Sequence, residues 1–300
     1  MAVNSGADKG FQAYLEEEIK KSKGQLVPVK ASTLERRFVK TVPIGKIHPN
    51  PDDEFCMPSV GARDSAISKY VLSISRNQSL GMPLFDEPLM VEKVHPDGYM
   101  LLNGHHRWAA AWQVGVKKLP VTIVNLTQET DIAEMLKISK HDKRVTLDLD
   151  EVVFCEEGCE FAEEPLKGLA GRNFPERIRQ GVPSLLHLLT KYGYDIWVYT
   201  AQFYSYDYLR AYFKRYSVRV DGIITGTARK RDPKAEADAV KRTKDLFEAK
   251  YSETIHIDND MVLRTFRNSD EFEEYEIKCS QADWANSVIN VIEKIRKYGK

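Results

Sequence analysis

The sequence is poor in cysteine and lacks a long apolar run. Only 4 of its 300 residues are cysteine, too few for a disulfide scaffold in a chain of this length. Cys155 and Cys159 lie four positions apart, but no second cysteine or histidine pair completes a zinc-site spacing. No stretch approaches the roughly 20 apolar residues of a membrane span, and residues 1–10 lack an apolar signal core. The sequence therefore predicts a soluble, cytoplasmic protein with no membrane partner.

An excess of charge of either sign is also absent. Lys+Arg and Asp+Glu both number 44. The balance holds locally as well, because residues 1–142 carry 18 basic and 17 acidic residues. A domain that binds nucleic acid usually has a basic excess, so a nucleic-acid partner is possible but is not supported by charge.

The hydrophobic pattern changes twice along the chain, which is long enough for two domains of common size. Residues 1–40 look like a peripheral segment with one short amphipathic helix. Residues 41–142 mix strand-like runs with helices and predict a small α+β domain. Residues 143–300 alternate apolar, β-branched runs with helical stretches, which predicts a parallel sheet covered on both faces. The predicted fold class is therefore α/β, with two domains of different construction.

Polar residues follow the predicted strands of the second domain, where parallel sheets bind their ligands. Asp148 and Asp150 close the first strand, Thr200 ends the second, and Asp258 follows the fourth. Two carboxylates at i and i+2 of an extended chain point to one side, and a divalent cation relieves their repulsion. The alternative is that these aspartates cap the following turns, as aspartate often does.

The strings RVTLDLDEVVF, DIWVYT and IHIDND, with a helix-initiating lysine between the last two, resemble motifs one to four of the haloacid dehalogenase superfamily of phosphohydrolases. The resemblance covers residues 143–300. It implies a Rossmann-like parallel-sheet domain, and since no domain-sized insertion is present, a site without a large cap. It also implies a magnesium-dependent phosphatase that acts on a phosphorylated substrate of unknown identity.

This resemblance assigns a role to each strand-end residue. Asp148 would attack phosphorus and form an aspartyl-phosphate, and Asp150 would act as the general acid and base. Thr200 would donate a hydrogen bond to the phosphoryl oxygens, and Lys234 would balance the charge. Mg²⁺ would be held by Asp148, Asp258 and the backbone carbonyl of Asp150.

Two of these assignments stay open. Lys234 is chosen as the motif-three lysine because it begins a helix just after an Asp-Pro pair, while Lys230 and Lys241 remain alternatives. Either Asn259 or Asp260 can be the second ligand of motif four, with Asn259 taken first.

The first domain contains Gly104, His105, His106 and Arg107 between a predicted strand and a predicted helix. Backbone amides at a helix N-terminus, with glycine allowing close approach, form an anion site. Arg107 can add a charge-assisted phosphate contact. An equally weighted alternative is a glycine turn with Arg107 in a structural salt bridge.

The strings VPIGKIHPNP, PLMVEKV, YMLLNGHHRWAA and LPVTIV resemble the ParB/sulfiredoxin-like domain over residues 41–140. Sulfiredoxins have cysteine where His105 stands, so sulfinic-acid reduction is not expected. ParB proteins bind nucleotide phosphates at this motif and continue into a DNA-reading helix-turn-helix, whereas this chain continues into the phosphatase-like domain. The GHHR form also resembles free-serine kinases, and their catalytic glutamate would be Glu54, unless that residue is a surface turn.

The leading hypothesis from the sequence is a phosphohydrolase fused to a ParB-like domain that binds nucleotide or phosphate. One alternative is a small-molecule, serine-like kinase activity in the ParB-like domain. Another is a nucleic-acid-binding regulator.

Overall fold

The computed structural model describes residues 5–57, 61–156, 158–227, 233–278 and 281–298. Two compact units are present, one comprising Met1–Asn125 with Arg229–Ala237 and the other comprising Leu126–Ala228 with Asp238–Lys300. Both mix helices with strands, so the predicted α/β class is confirmed. No helix within the described ranges is long and apolar enough to cross a membrane.

The first unit places its helices against a six-stranded mixed sheet. The helices are α1 (Ser5–Ser22), α2 (Thr33–Arg36), α3 (Asp64–Ser79) and α4 (His105–Gln113). The strands are β1 (Val27–Pro28), β2 (Lys40–Pro43), β3 (Ile47–His48), β4 (Leu89–His95), β5 (Tyr99–Asn103) and β6 (Lys118–Val124). The order is β2-β6-β4-β5-β3, with β1 paired to β4. Strands β4 and β5 form an antiparallel hairpin.

Helix α1 belongs to the core of this unit, although residues 1–40 were expected to be peripheral. Phe11 and Leu15 are only 3% and 2% exposed. The Phe11 ring lies 5.8 Å from that of Trp108, and the Tyr14 ring stacks on Trp112 at 4.8 Å. Apolar residues four apart lie on one face of a helix, and here that face packs on α4.

The second unit is built on a second six-stranded sheet. Its strands are β7 (Lys143–Asp148), β8 (Phe154–Cys155), β9 (Arg177–Ile178), β10 (Asp195–Thr200), β11 (Gly222–Thr225), β12 (Glu253–Ile257), β13 (Met261–Phe266) and β14 (Phe272–Glu276). Its helices are α5 (Glu129–Ile138), α6 (Gly168–Asn173), α7 (Val182–Lys191), α8 (Tyr206–Arg215), α9 (Pro233–Lys250) and α10 (Trp284–Tyr298). Strands β8 and β9 form a separate ribbon.

The large sheet has the order β11-β10-β7-β12-β13-β14, and only part of it is parallel. Strands β11, β10, β7 and β12 run parallel, whereas β13 and β14 are antiparallel. The parallel sheet predicted from the sequence is therefore confirmed for four strands, and two antiparallel strands extend it at one edge. The link between β12 and β13 is a short turn, in which Asp258 N donates to Met261 O at 2.9 Å. A parallel crossover needs a dozen or more residues, so β13 must run antiparallel to β12.

Helix α5 lies in the compact unit that begins at Leu126. Ile132, Met135 and Leu136 form a buried cluster with Trp197 and Phe247 of the second unit. The apolar face of α5 is therefore part of the second unit's core.

Candidate functional site

The GHHR stretch lies at the junction between β5 and α4. Gly104 is the N-cap residue of α4, with φ 97° and ψ 26°. A side chain at this position would be strained in that left-handed conformation, and its Cβ would lie 2.5 Å from Leu89 Cδ2. The glycine therefore lets α4 begin directly after the strand, with the amides of its first turn, which have no intrahelical acceptors, at the site.

The loop that carries Glu54 lies beside this helix start. Asp53 caps a short helical turn, because its Oδ1 accepts from Phe55 N at 2.9 Å. His105 Nδ1 lies 3.8 Å from Asp53 Oδ1. The Phe55 ring is 5.4 Å from the His105 ring and 5.1 Å from that of His106. The structure thus brings together the two predicted parts of the site, the Glu54 loop and the GHHR stretch.

Both histidines are held in the neutral form at neutral pH. Burial lowers the pKa of His105 to about 4, although nearby Asp53 opposes the shift. Burial and the neighbouring Arg63 lower the pKa of His106. His106 Nε2 accepts from Arg63 N at 3.4 Å, while His105 Nε2 is buried without a hydrogen-bond partner in the part of the chain that the structure describes.

Arg63 was missed in the sequence analysis. It is the N-cap residue of α3, so its backbone amide joins the start of a second helix to the GHHR stretch. Arg63 and His106 lie 43 positions apart, and no local sequence pattern indicates their contact.

Arg107 does not form the structural salt bridge that was weighed against anion binding, at least with any carboxylate that the structure describes. Its Nη1 donates to the carbonyl oxygen of Glu87 at 2.6 Å. Its Cζ lies 5.8 Å from the centroid of the Phe85 ring. The guanidinium is therefore oriented by a carbonyl and a ring, and its charge is not neutralised there.

The strand-end residues of the second unit form a separate cluster. Asp148 Oδ1 accepts from the backbone nitrogens of Asp150 at 2.7 Å and Glu151 at 3.0 Å. The Asp150 carboxylate accepts from Thr200 Oγ1 at 2.9 Å and from Ala201 N at 2.7 Å. Asp148 thus caps the turn after β7, and Asp150 links that turn to the end of β10.

Asp258 lies next to Asp148, because Ile257 and Leu147 are paired in the parallel strands β12 and β7. Its Oδ1 accepts from Asn259 N at 2.7 Å, and Asn259 O accepts from Trp284 Nε1 at 2.9 Å. Among the described side chains, no three His, Cys, Asp or Glu residues are grouped as a metal cluster.

Of the three candidate lysines, the structure describes the side chain of Lys241 alone. Lys230 lies outside the described residues, and Lys234 lies in the first turn of α9 with a side chain that is also outside them. Lys241 is exposed further along α9, and Asp260 is exposed at the turn after β12.

The family model that matches this chain covers mainly the first unit. Residues 29–139 match the family model of the ParB N-terminal domain, which confirms the predicted ParB-like part. The ADP-dependent L-serine kinase of Thermococcus kodakarensis is 32% identical over 88 residues. That match covers 28% of this chain and 34% of the kinase, so the chain spans about a third of that relative.

Two solved structures show weaker likeness. The chromosome-partitioning protein ParB of Caulobacter crescentus, complexed with CTP-gamma-S, is 23% identical over 35% of this chain and 56% of that chain, with a TM-score of 0.24. A free serine kinase in complex with AMP is 14% identical over 85% of this chain and 95% of its own, also with a TM-score of 0.24.

These findings overturn the predicted function. The curated relative is a kinase, which is a transferase, whereas the sequence analysis predicted a phosphatase, which is a hydrolase. The phosphatase prediction is therefore wrong, and its alternative of a serine-like kinase in the ParB-like domain is better supported. Asp148 and Asp150 accept the capping and linking hydrogen bonds that were the alternative explanation of the motif, so the carboxylate pattern does not by itself establish a phosphatase.

Proposed function

We propose that the ParB-like unit is a phosphotransferase that moves a phosphoryl group from ADP to the hydroxyl of a small amino acid, with L-serine as the substrate. The observation that carries this proposal is the 32% identity to the ADP-dependent L-serine kinase. It is supported by the position of Glu54, whose loop neighbour Asp53 faces His105 of the GHHR stretch.

The nucleotide phosphates would bind at the start of α4. Amides of the first helical turn donate to phosphate oxygens, and the helix dipole adds a favourable field. Gly104 permits close approach, while neutral His105 and His106 can donate hydrogen bonds without adding charge. Arg107 supplies the positive charge that phosphate requires.

Glu54 would act as the general base. Its carboxylate would take the proton of the substrate hydroxyl while the hydroxyl oxygen attacks the terminal phosphorus of ADP. The new oxygen–phosphorus bond forms as the bond to the bridging oxygen breaks, and AMP leaves with that electron pair. Positioning and electrostatic stabilisation carry most of the catalysis in such transfers.

Replacing Arg107 by alanine should weaken nucleotide binding by about one to two orders of magnitude, because charge-assisted hydrogen bonds are worth about 1.5–3 kcal/mol. Calorimetry with ADP on the parent and Arg107→Ala measures this directly. Arg76→Ala, which removes an exposed arginine of α3, is the matched control and should bind like the parent. Equal affinity in Arg107→Ala would remove Arg107 from the site.

We also propose Mg²⁺ as the cofactor, held in the second unit by Asp148, Asp258, the backbone carbonyl of Asp150 and Asn259. Mg²⁺ binds through one or two carboxylates and retains several waters, which suits two aspartates at neighbouring strand ends. The parallel order β11-β10-β7-β12 with carboxylates at its carboxyl edge supports a haloacid-dehalogenase-like architecture for this unit as a cation-binding fold.

Asp148→Asn should weaken Mg²⁺ binding at least tenfold, since an amide is a poorer ligand for a hard cation than a carboxylate. Calorimetric titration with MgCl₂ measures the change, with Asp142→Asn as the exposed control before β7. A Mg²⁺ titration identical in both variants would place the cation elsewhere.

A further inference from the structure

Arg144 of β7 is a largely buried cation in the second unit. Its Nε donates to Thr254 Oγ1 at 2.9 Å and its Nη1 to the Tyr199 hydroxyl at 3.2 Å. Its Cζ lies 3.9 Å from the centre of the Phe247 ring and 5.4 Å from that of Tyr251. In the described ranges no carboxylate forms an ion pair with it, and a buried charge without a counter-charge is costly.

A second buried arginine of the same sheet has carboxylate partners. Arg264 on β13 lies 3.0 Å from Glu253 and 3.0 Å from Glu273, so two carboxylates neutralise it. The hydroxyls and rings around Arg144 supply hydrogen bonds and a cation–π contact but no negative charge. The environment of Arg144 therefore suits an anion from outside the chain.

His256 lies beside Arg144 and contributes a hydrogen-bond donor. It is paired with Thr146 in the parallel strands β12 and β7, and its Nδ1 is 2.7 Å from Thr146 Oγ1. When the threonine hydroxyl donates to Nδ1, the proton of the neutral ring is on Nε2, which can then donate.

Three side chains of this cluster retain hydrogen-bond donors beyond the bonds described above. Arg144 has a second terminal nitrogen, Nη2, beyond its two bonds to hydroxyls. The Tyr199 oxygen accepts from Arg144, so its hydrogen can donate elsewhere. With His256 Nε2 this makes three donors around one positive charge, which is the chemistry of an oxyanion site.

These three side chains are not completely buried. Arg144, Tyr199 and His256 are each partly exposed, whereas their strand neighbours Val145 and Ile196 are completely buried. Asp148 lies four residues beyond Arg144 on β7, about 13 Å by strand rise, and is the register partner of Tyr199. The Tyr199 hydroxyl reaches back to Arg144, so the cluster centres on the Arg144 end of the strand.

We propose that Arg144, Tyr199 and His256 bind a small oxyanion, namely phosphate as the free ion or as the phosphate group of a small molecule. This site is independent of the kinase function proposed for the ParB-like unit. It lies on the face of the sheet and uses none of the side chains proposed to hold Mg²⁺.

The test uses the full chain carrying Arg107→Ala, so that phosphate binding at the GHHR stretch is weakened. Calorimetry with inorganic phosphate should give saturable one-site binding in this background. Adding Arg144→Gln should raise the Kd at least tenfold, and adding Tyr199→Phe should raise it severalfold. Arg267→Gln, which removes an exposed arginine of the same unit, should leave the Kd unchanged.

Glycerol phosphate distinguishes the two sources of the ligand. Equal binding of both compounds assigns the site to phosphate groups in general, and binding of inorganic phosphate alone assigns it to the free ion. No saturable binding in the Arg107→Ala background overturns the proposal, as does an unchanged Kd in both added variants. If circular dichroism shows that Arg144→Gln does not fold, the Tyr199→Phe result decides, since that change keeps the ring and removes only the hydroxyl.

Discussion

Glu54→Gln should lower the rate of phosphoryl transfer from ADP to L-serine by about 10²–10⁴-fold, the usual contribution of a general base. The amide keeps the shape of the side chain but cannot accept the hydroxyl proton. Nucleotide affinity should be unchanged, because the phosphates are assigned to the start of α4 and to Arg107. The prediction therefore separates the chemical step from binding.

Asp52→Asn is the matched control, since Asp52 is an exposed acid in the same loop. Rates of O-phosphoserine formation in the parent, Glu54→Gln and Asp52→Asn should fall only for Glu54→Gln. Equal rates in the parent and Glu54→Gln would exclude Glu54 as the base. A parallel loss of ADP affinity would make Glu54 a binding residue instead.

Asp195→Ala should destabilise the second unit by about 3–5 kcal/mol, the range found when one partner of a buried ion pair is removed. Asp195 is completely buried. Its carboxylate lies 2.8 Å from His141 Nδ1 and 3.0 Å from Arg219 Nη2, and it accepts from the Tyr251 hydroxyl at 3.2 Å. Alanine leaves these donors without their acceptor and opens a cavity at the start of β10.

Native-state hydrogen exchange of the β10 amides measures this loss without assuming that both units unfold together. The exchange rate should rise by about two to three and a half orders of magnitude, since 1.4 kcal/mol corresponds to about tenfold. Asp270→Ala, at an exposed position, should not change the exchange. Unaltered β10 protection in Asp195→Ala would show that the carboxylate is not a stabilising centre.

The parallel strands β7, β10, β11 and β12 of the second unit were predictable because each is a short apolar run with β-branched residues between turn signals. Their parallel alignment also placed Asp148 and Asp258 side by side. The antiparallel strand β13 was not predicted. It directly follows the turn of residues 258–260, whose polar side chains are the candidate ligands of motif four. The sequence could not indicate which hydrophobic core α5 packs into, since an amphipathic face predicts burial but not the surface that covers it.

The site at the GHHR stretch could be predicted in part, because one of its signals is local in the sequence. Glycine before a helix start is a sequence signal, and the left-handed conformation of Gly104 agrees with it. The contacts that complete the site, Asp53 with His105 and Arg63 with His106, join residues far apart in the chain. Such pairs leave no periodic pattern, so only the structure reveals them.

The wrong phosphatase prediction also has a physical cause. Aspartates at strand ends satisfy backbone amides as readily as they bind cations. The motif alone did not separate these uses, and Asp148 Oδ1 receives two backbone amides in the structure.

The most direct test of the proposed function is phosphorus NMR of the full chain with ADP, L-serine and MgCl₂. The proposal predicts that O-phosphoserine and AMP form in equal amounts and that both signals are lost in Glu54→Gln. If neither ADP nor ATP yields O-phosphoserine with the parent protein, the kinase function proposed for the ParB-like unit is contradicted.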